Sequence, residues 1–255
     1  MGKLHLTTAA VQLPLADCST CVYQANFLPE GKCVPGDTCV VAQSGRQIDR
    51  FLRRHPHLAQ DYLTDDFWER RAIAARYAPL DVLRQLPRDS DEAVRRVLAS
   101  RLPINELEDY LHDPDREVRM TVANRVIPEQ LLRLVRDEDY LVRLQVAKRL
   151  PHSQLRRMAG DVDWEVRKEV ARRMPPFALS LLIKDSDAEV RRIIAARVLP
   201  DDAAKLLKDV DWVVRLEAAQ RAPIDVIAEL VDDVEPDVRA TVRRRLNEFL
   251  HEDNK

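Results

Sequence analysis

The chain has 255 residues, 45% of them hydrophobic and 33% charged, yet its formal net charge is only −2. That balance disfavours a generic polyanion binder, and 15 prolines against five glycines point to helices stopped by proline rather than to sheets with tight turns. No stretch is long and apolar enough to suggest a membrane span.

The start, Met1 to Asp17, carries one lysine and a weak apolar run, without a signal-peptide layout. Leu15-Ala16-Asp17-Cys18 departs from a lipoprotein box at Asp17, and Met1-Gly2 departs from a myristoylation signal at Leu6. The expectation is a soluble, cytoplasmic protein.

All four cysteines follow: Cys18, Cys21, Cys33 and Cys39, spaced C-x₂-C-x₁₁-C-x₅-C. Four cysteines crowded into one end of a chain read as cytosolic argue for a metal site over disulfides. The C-x₂-C pair lets two thiolates converge from one turn, and Gly31, Pro35 and Gly36 can fold the other two toward them. Four thiolates suit a tetrahedral structural zinc and equally a [4Fe–4S] cluster. The spacing departs from the bacterial ferredoxin run, so by spacing alone zinc stands slightly ahead.

Arg46 to Leu63 reads as a helical connector interrupted at Pro56, closing an N-terminal region of residues 1–63. His55-Pro56-His57 within it reads as a solvated loop.

From residue 64 a 24-residue period takes over. The phrase Asp-x-Asp-x-x-Val-Arg begins at Asp89, Asp113, Asp137, Asp161, Asp185 and Asp209, recurs at Asp233 with Glu235 in third place, and has a worn copy at Asp65, making eight units. With the first Asp as position 1, position 7 is always Arg, from Arg71 to Arg239. Position 6 is Val except for Arg70, position 11 is Ala except for Arg243, and position 13 is Arg except for Tyr77. A proline at position 15 or 16 precedes a Leu-x-x-Leu element.

Asp at position 3 suits a helix N-cap, and apolar residues at 6, 10 and 14 with Ala at 11 form one helical face. Arg at 13 suits the negative end of the helix dipole, and the proline stops the helix. This predicts a first leg of about ten α-helical residues, rising about 15 Å. About seven residues remain for the second leg, which match that length only at the 3₁₀ rise of about 2 Å per residue. Such a unit cannot bury its apolar face alone, so neighbours must stack. The acid at position 3 and the arginine at position 7 are expected to form an exposed ion-pair ladder, within a unit or between units, worth a few tenths of a kcal/mol per pair. Trp68, Trp164 and Trp212, at position 4, are expected to pack against the adjacent layer. Residues 248–255 read as a polar tail after repeats spanning 64–247.

These motifs resemble the leucine-rich repeat variant family. The resemblance implies an all-α fold, a right-handed superhelical solenoid of alternating α and 3₁₀ helices. Ordinary leucine-rich repeats need a strand and a recurring Asn or Cys, and HEAT repeats need about forty residues. A four-cysteine segment ahead of such an array resembles the family member whose N-terminal domain holds a [4Fe–4S] cluster. That implies Cys18, Cys21, Cys33 and Cys39 as its ligands, with zinc as the alternative.

No phosphate loop, zinc-protease motif or nucleophile elbow occurs, so no enzyme and no small-molecule substrate are expected. The expected role is a scaffold for another protein, responsive to redox state or oxygen, with an electron-transfer or redox-enzyme accessory role as the alternative. Arg101, Arg125, Arg149, Arg173, Arg197, Arg221 and Arg245 would have to form a phosphate-tracking stripe for nucleic-acid binding. The local negative charge and the lack of interleaved aromatics disfavour it.

Overall fold

A computed structural model describes residues 16–84, 86 and 88–252. The readings that rest on Met1 to Leu15 lie outside the described residues. The chain divides into two compact bodies, Met1–Arg125 and Val126–Lys255. Among the described residues the structure is helical, with a single isolated bridge between Val34 and Thr38. No described helix is long and apolar enough to cross a membrane.

In the first body the connector forms an α-helix, Gly45–Arg54, then a 3₁₀ helix, Pro56–Tyr62, which starts at the proline. The first repeats contribute the α-helices Trp68–Tyr77, Glu92–Arg101 and Arg116–Ala123. In the second body the first legs are Tyr140–Arg149, Trp164–Arg173, Ala188–Ala195, Trp212–Arg221 and Pro236–Glu252. The second legs are tight helices, as the length match requires: His152–Met158 and Pro176–Leu182 are seven-residue 3₁₀ helices. Others open on a single α turn, such as Leu80–Leu83 and Pro128–Leu131. Their buried residues recur three apart, as in Leu131 and Leu134 or Leu179 and Leu182, because a three-residue turn returns side chains to one face every third position.

The proline's position sets how the first leg ends. Where it is at 15, the ten-residue helix runs to position 13, and the residue before proline is extended, as at Leu102 (φ −60°, ψ 150°). Where it is at 16, as Pro128 and Pro200, the helix is eight residues long. Its last turn then tightens to an i→i+3 bond, Arg125 N–H to Val122 and Arg197 N–H to Ile194. The last repeat has Asn247 and Glu248 where others have proline, and its helix runs through to Glu252.

The N-caps match expectation. Asp91, Asp115, Asp139, Asp163, Asp187 and Asp211 each accept a backbone N–H from the first turn of their helix. The arginine at position 7 takes the second of the two pairings left open for it, within a unit or between units. It reaches 18 residues on, to the first Asp of the next unit: Arg71 to Asp89, Arg95 to Asp113, Arg143 to Asp161, Arg167 to Asp185, Arg191 to Asp209 and Arg215 to Asp233. Each pair is a two-pronged fork, with Nε and one terminal nitrogen on the two carboxylate oxygens; in Arg143–Asp161 they lie at 2.8 and 2.9 Å. The other terminal nitrogen donates to two backbone carbonyls at the start of the arginine's own unit, as Arg143 does to Asp137 and Glu138. The same Asp also accepts its own position-3 N–H, Asp163 N–H to Asp161 at 2.9 Å. These pairs are buried rather than exposed; the side chains of Arg143 and Asp161 are 8% and 5% accessible.

The arginine at position 13 also acts between units. Rather than capping its own helix, it reaches back to carbonyls at the C-terminal end of the preceding helix. Arg101 bonds Ala75 and Ala78, Arg125 bonds Ala99, Arg197 bonds Ala171 and Met174, and Arg245 bonds Ala219 and Ala222. These are orphan carbonyls of the kind every helix end leaves. Alanine at position 11 has no bulk to screen its own carbonyl from that approach.

The buried forks set two expectations. Replacing Arg143 with Met leaves Asp161 charged and unpaired in the interior, and should cost about 3–5 kcal/mol in urea unfolding followed by tryptophan fluorescence. Replacing the exposed Arg53 should stay within about 0.5 kcal/mol. Acid should weaken the array. Arg215 beside Asp233 and Arg192 beside Asp211 hold those carboxyls below the usual range. Burial alone would raise Asp89 and Asp185, but Arg71 and Arg167 respectively, with a backbone N–H each, outweigh it. Carboxyls depressed in the folded state stabilise it above their unfolded pKa of about 3.9 and lose that contribution as pH falls through their folded values. Urea midpoints should therefore drop below about pH 4, and less steeply in Asp233→Asn; a midpoint that rises on acidification would contradict this.

Candidate metal centre

Local turns bring the four cysteines together. The Asp17 carboxylate accepts the N–H and hydroxyl of Ser19 at 2.8 and 2.6 Å, shaping the turn that carries Cys18 and Cys21. Within it Cys21 N–H bonds the Cys18 carbonyl at 3.2 Å. Further on, Gly31 has φ +67°, a left-handed conformation that side chains resist. The chain then folds back on Phe27, whose carbonyl accepts the N–H of Lys32 and of Cys33.

Val34-Pro35-Gly36-Asp37 is a tight turn with proline in its second place and Gly36 at φ +83° in its third, the requirement of a type II turn. Reciprocal bonds between Val34 and Thr38, both 2.8 Å, close it. Cys33 and Cys39 flank that bridge and so leave the turn side by side.

Cys18, Cys21, Cys33 and Cys39 all line one narrow cavity, walled by Tyr23, Leu28, Val40 and Phe51, with no charged side chain in its lining. All four are free thiols; Cys39 is buried and the others are half-buried. Burial pushes the Cys33 thiol up, and the neighbouring thiols add to it. Burial also raises Cys39, although the nearby N–H groups of Val41 and Ala42 pull the other way. Among the described residues no three Cys, His, Asp or Glu side chains gather closely enough to hold one metal ion. The thiols thus share a cavity without forming a ready single-ion shell. The donor set, four soft sulfurs with charged groups excluded, fits a thiolate-bound metal centre.

An aromatic wall fixes this segment on the connector. Tyr23 packs on Phe27 and Phe51 at 4.8 and 5.3 Å between centroids. His55 packs on Phe27 and Phe51, both at 4.9 Å, and its Nε2 is 3.0 Å from the Lys32 carbonyl. His55 therefore belongs to this wall, which corrects the solvated-loop expectation; His57 is exposed. The Tyr62 hydroxyl donates to that of Tyr23 at 3.1 Å, and burial holds its pKa above the usual phenol value.

The first repeat's departures from the pattern join the segment to the array. Arg70, at the position held elsewhere by valine, donates to the Val40 carbonyl at 2.7 Å and to Asp65. Tyr77, where other units carry arginine, donates to Asp49 of the connector at 2.8 Å. Both substitutions were visible as irregularities, but their purpose needs the neighbouring connector in place.

The structure thus defines a class: an array of α/3₁₀ repeats behind a compact four-cysteine segment. Comparison with known proteins gives the family. A solved structure described as a leucine-rich repeat variant with a novel repetitive protein structural motif superposes with a TM-score of 0.85 at 50% identity, covering 91% of this chain and all of that one. The chain belongs to the leucine-rich repeat variant family. Residues 14–61 match the family model "LRV protein FeS4 cluster". An uncharacterized 27.7 kDa protein in the nifB 3′ region of Rhodobacter capsulatus is 37% identical over 87 residues, 34% of this chain. That match spans about a third (35%) of the relative's length.

Phe51 is the shared wall between cavity and connector, fully buried. Phe51→Ala should destabilise the metal-free protein by about 3–5 kcal/mol in denaturant titration. Unchanged stability would mean that the aromatic wall does not hold the segment.

Proposed function

We propose that this protein is an iron–sulfur interaction scaffold. Cys18, Cys21, Cys33 and Cys39 hold a [4Fe–4S] cluster, and the repeats dock another protein without turning over a substrate. The observation that carries this reading is that all four cysteines line one cavity within the residues matched by the iron–sulfur family model. A four-iron cage takes thiolates spread more widely than the tetrahedral shell of a single zinc, whose Zn–S bonds are about 2.3 Å, so metal analysis separates the two. When bound, the cluster supplies a one-electron couple and an oxygen-sensitive cross-link. The protein's part is to join the Cys18–Cys21 turn to the Cys33–Cys39 hairpin and to exclude charge from their cavity. This role suits a reducing compartment, the cytoplasm.

On the array, the second body carries Val162, Val210 and Val234 at repeat position 2, 90%, 91% and 88% exposed. Trp164 and Trp212 at position 4 are also partly exposed rather than packed away, as is Trp68 in the first body. Large apolar groups in one register suit a protein partner. Arginines at position 13 are engaged with backbone carbonyls in several repeats, which disfavours a phosphate-tracking stripe. A second reading, electron transfer to a partner, is favoured by the half-buried state of Cys18, Cys21 and Cys33, which keeps one side of the centre near the surface.

Protein purified without oxygen should be brown, with broad visible charge-transfer absorption and about four iron and four sulfide per chain. A colourless protein with one zinc would sink the cluster reading. Cys21→Ser should lose the cluster while the helical circular dichroism of the repeats persists. Trp164→Ala and Trp212→Ala should each weaken a captured protein partner by roughly 2 kcal/mol. Undiminished binding in both would remove this register of the array as the docking surface.

A further inference from the structure

Gln47 is fully buried, and neither its Oε1 nor its Nε2 has a partner. An amide left this way is destabilising, because it has lost water without gaining a partner. A local partner is within reach of the sequence but unused. Ser44 is the N-cap of the Gly45–Arg54 helix and Gln47 its third residue, the Ser-x-x-Gln pattern of a capping box. In that box the amide turns back to the N-cap N–H. Here Ser44 makes no side-chain cap bond and the Gln47 amide stays inside, unbonded.

Its surroundings indicate what the amide is held for. The Gln47 backbone carbonyl accepts the N–H of Cys39 at 3.2 Å, so the residue sits at the Cys39 corner of the centre. One turn along the same helix face, Phe51 lines the cavity that the four cysteines share. Cys39 is the buried member of the four, so a sulfur there is shielded from water and draws its donors from the protein.

Building on the cluster reading above, we propose that Gln47 is a positioning residue for the iron–sulfur centre: its side-chain N–H donates to a sulfur at the Cys39 corner once the cluster is bound, and thereby raises the reduction potential. An N–H···S bond strengthens as the cluster gains an electron, so it stabilises the reduced form.

The test uses full-length protein purified without oxygen: wild type, Gln47→Met, Gln47→Leu and, as a control, Gln24→Met, because exposed Gln24 also borders the cavity. In potentiometric titration the two Gln47 variants should be harder to reduce by about tenfold in the equilibrium constant, about 59 mV for one electron, with iron content unchanged. In dithionite-reduced wild type with ¹⁵N-labelled glutamine side chains, pulsed EPR should show a nitrogen coupling that Gln24→Met keeps and both Gln47 variants lose. The metal-free variants should be at least as stable as wild type, since an unpaired amide has been removed. An unchanged potential with a loaded cluster, or no glutamine coupling in wild type, would overturn the proposal while leaving the cluster reading intact. A wild type that binds no iron would overturn both.

Discussion

The bond on which the array depends is the fork from the arginine at position 7 to the first aspartate of the next unit. One guanidinium ties three things together: the next unit's carboxylate, and two carbonyls at the start of its own unit. The carboxylate in turn holds its own position-3 N–H. Charge, turn and stacking register are therefore one network. Such a network tolerates little substitution, because any missing member leaves a buried charge or an unpaired backbone group. That accounts for the recurrence of the arginine in units that have a following neighbour, whereas a solvent-exposed pair would be free to vary; among the described residues the Arg239 guanidinium, in the last unit, keeps only the bond to the Asp233 carbonyl.

The arginine at position 13 complements it at the other end of the helices. Helix starts are joined by forks to aspartate, and helix ends by arginines that reach the preceding unit's carbonyls. The apolar core between them is made mostly of Val, Ala and Leu at positions 6, 10, 11 and 14, with Ile194 and Met174 among them. Both sets of arginines reach across to a neighbouring unit on either side of this core. Polar ends and apolar middle are thus two consequences of one spacing.

The four-cysteine segment is built on different terms. It has few helical bonds of its own and is shaped by an Asx-type turn at Asp17, a left-handed glycine at Gly31 and a proline–glycine turn at Pro35-Gly36. Tyr23, Phe27, Phe51 and His55 provide its apolar anchorage. The first repeat accommodates this neighbour by exchanging a core valine for Arg70 and the arginine for Tyr77. The N-terminal segment and the array therefore meet through residues that break the repeat.

The sequence by itself determined the period, the α and 3₁₀ legs and the cysteine set, because these rest on local rules: capping, proline stops, rise per residue and the chemistry of thiolates. It left the position-7 arginine's partner open between its own and a neighbouring unit and took the pair as exposed, and it read the position-13 arginine as facing its own helix end. Spacing along one helix shows the position-3 acid and the position-7 arginine as neighbours, and only stacking shows that the next unit's Asp89, Asp113 or Asp161 lies nearer the guanidinium, in a buried site. The same limit applied to His55, whose partners Phe27 and Lys32 are distant in the chain, and to Trp164 and Trp212, whose exposure depends on how far the neighbouring helix covers them. Convergence of the four cysteines was legible from the turns between them, but the aromatic wall that closes their cavity and the unpaired amide of Gln47 beside it were decided by tertiary contacts. A pattern in sequence identifies which groups must be satisfied; only the folded chain decides by whom.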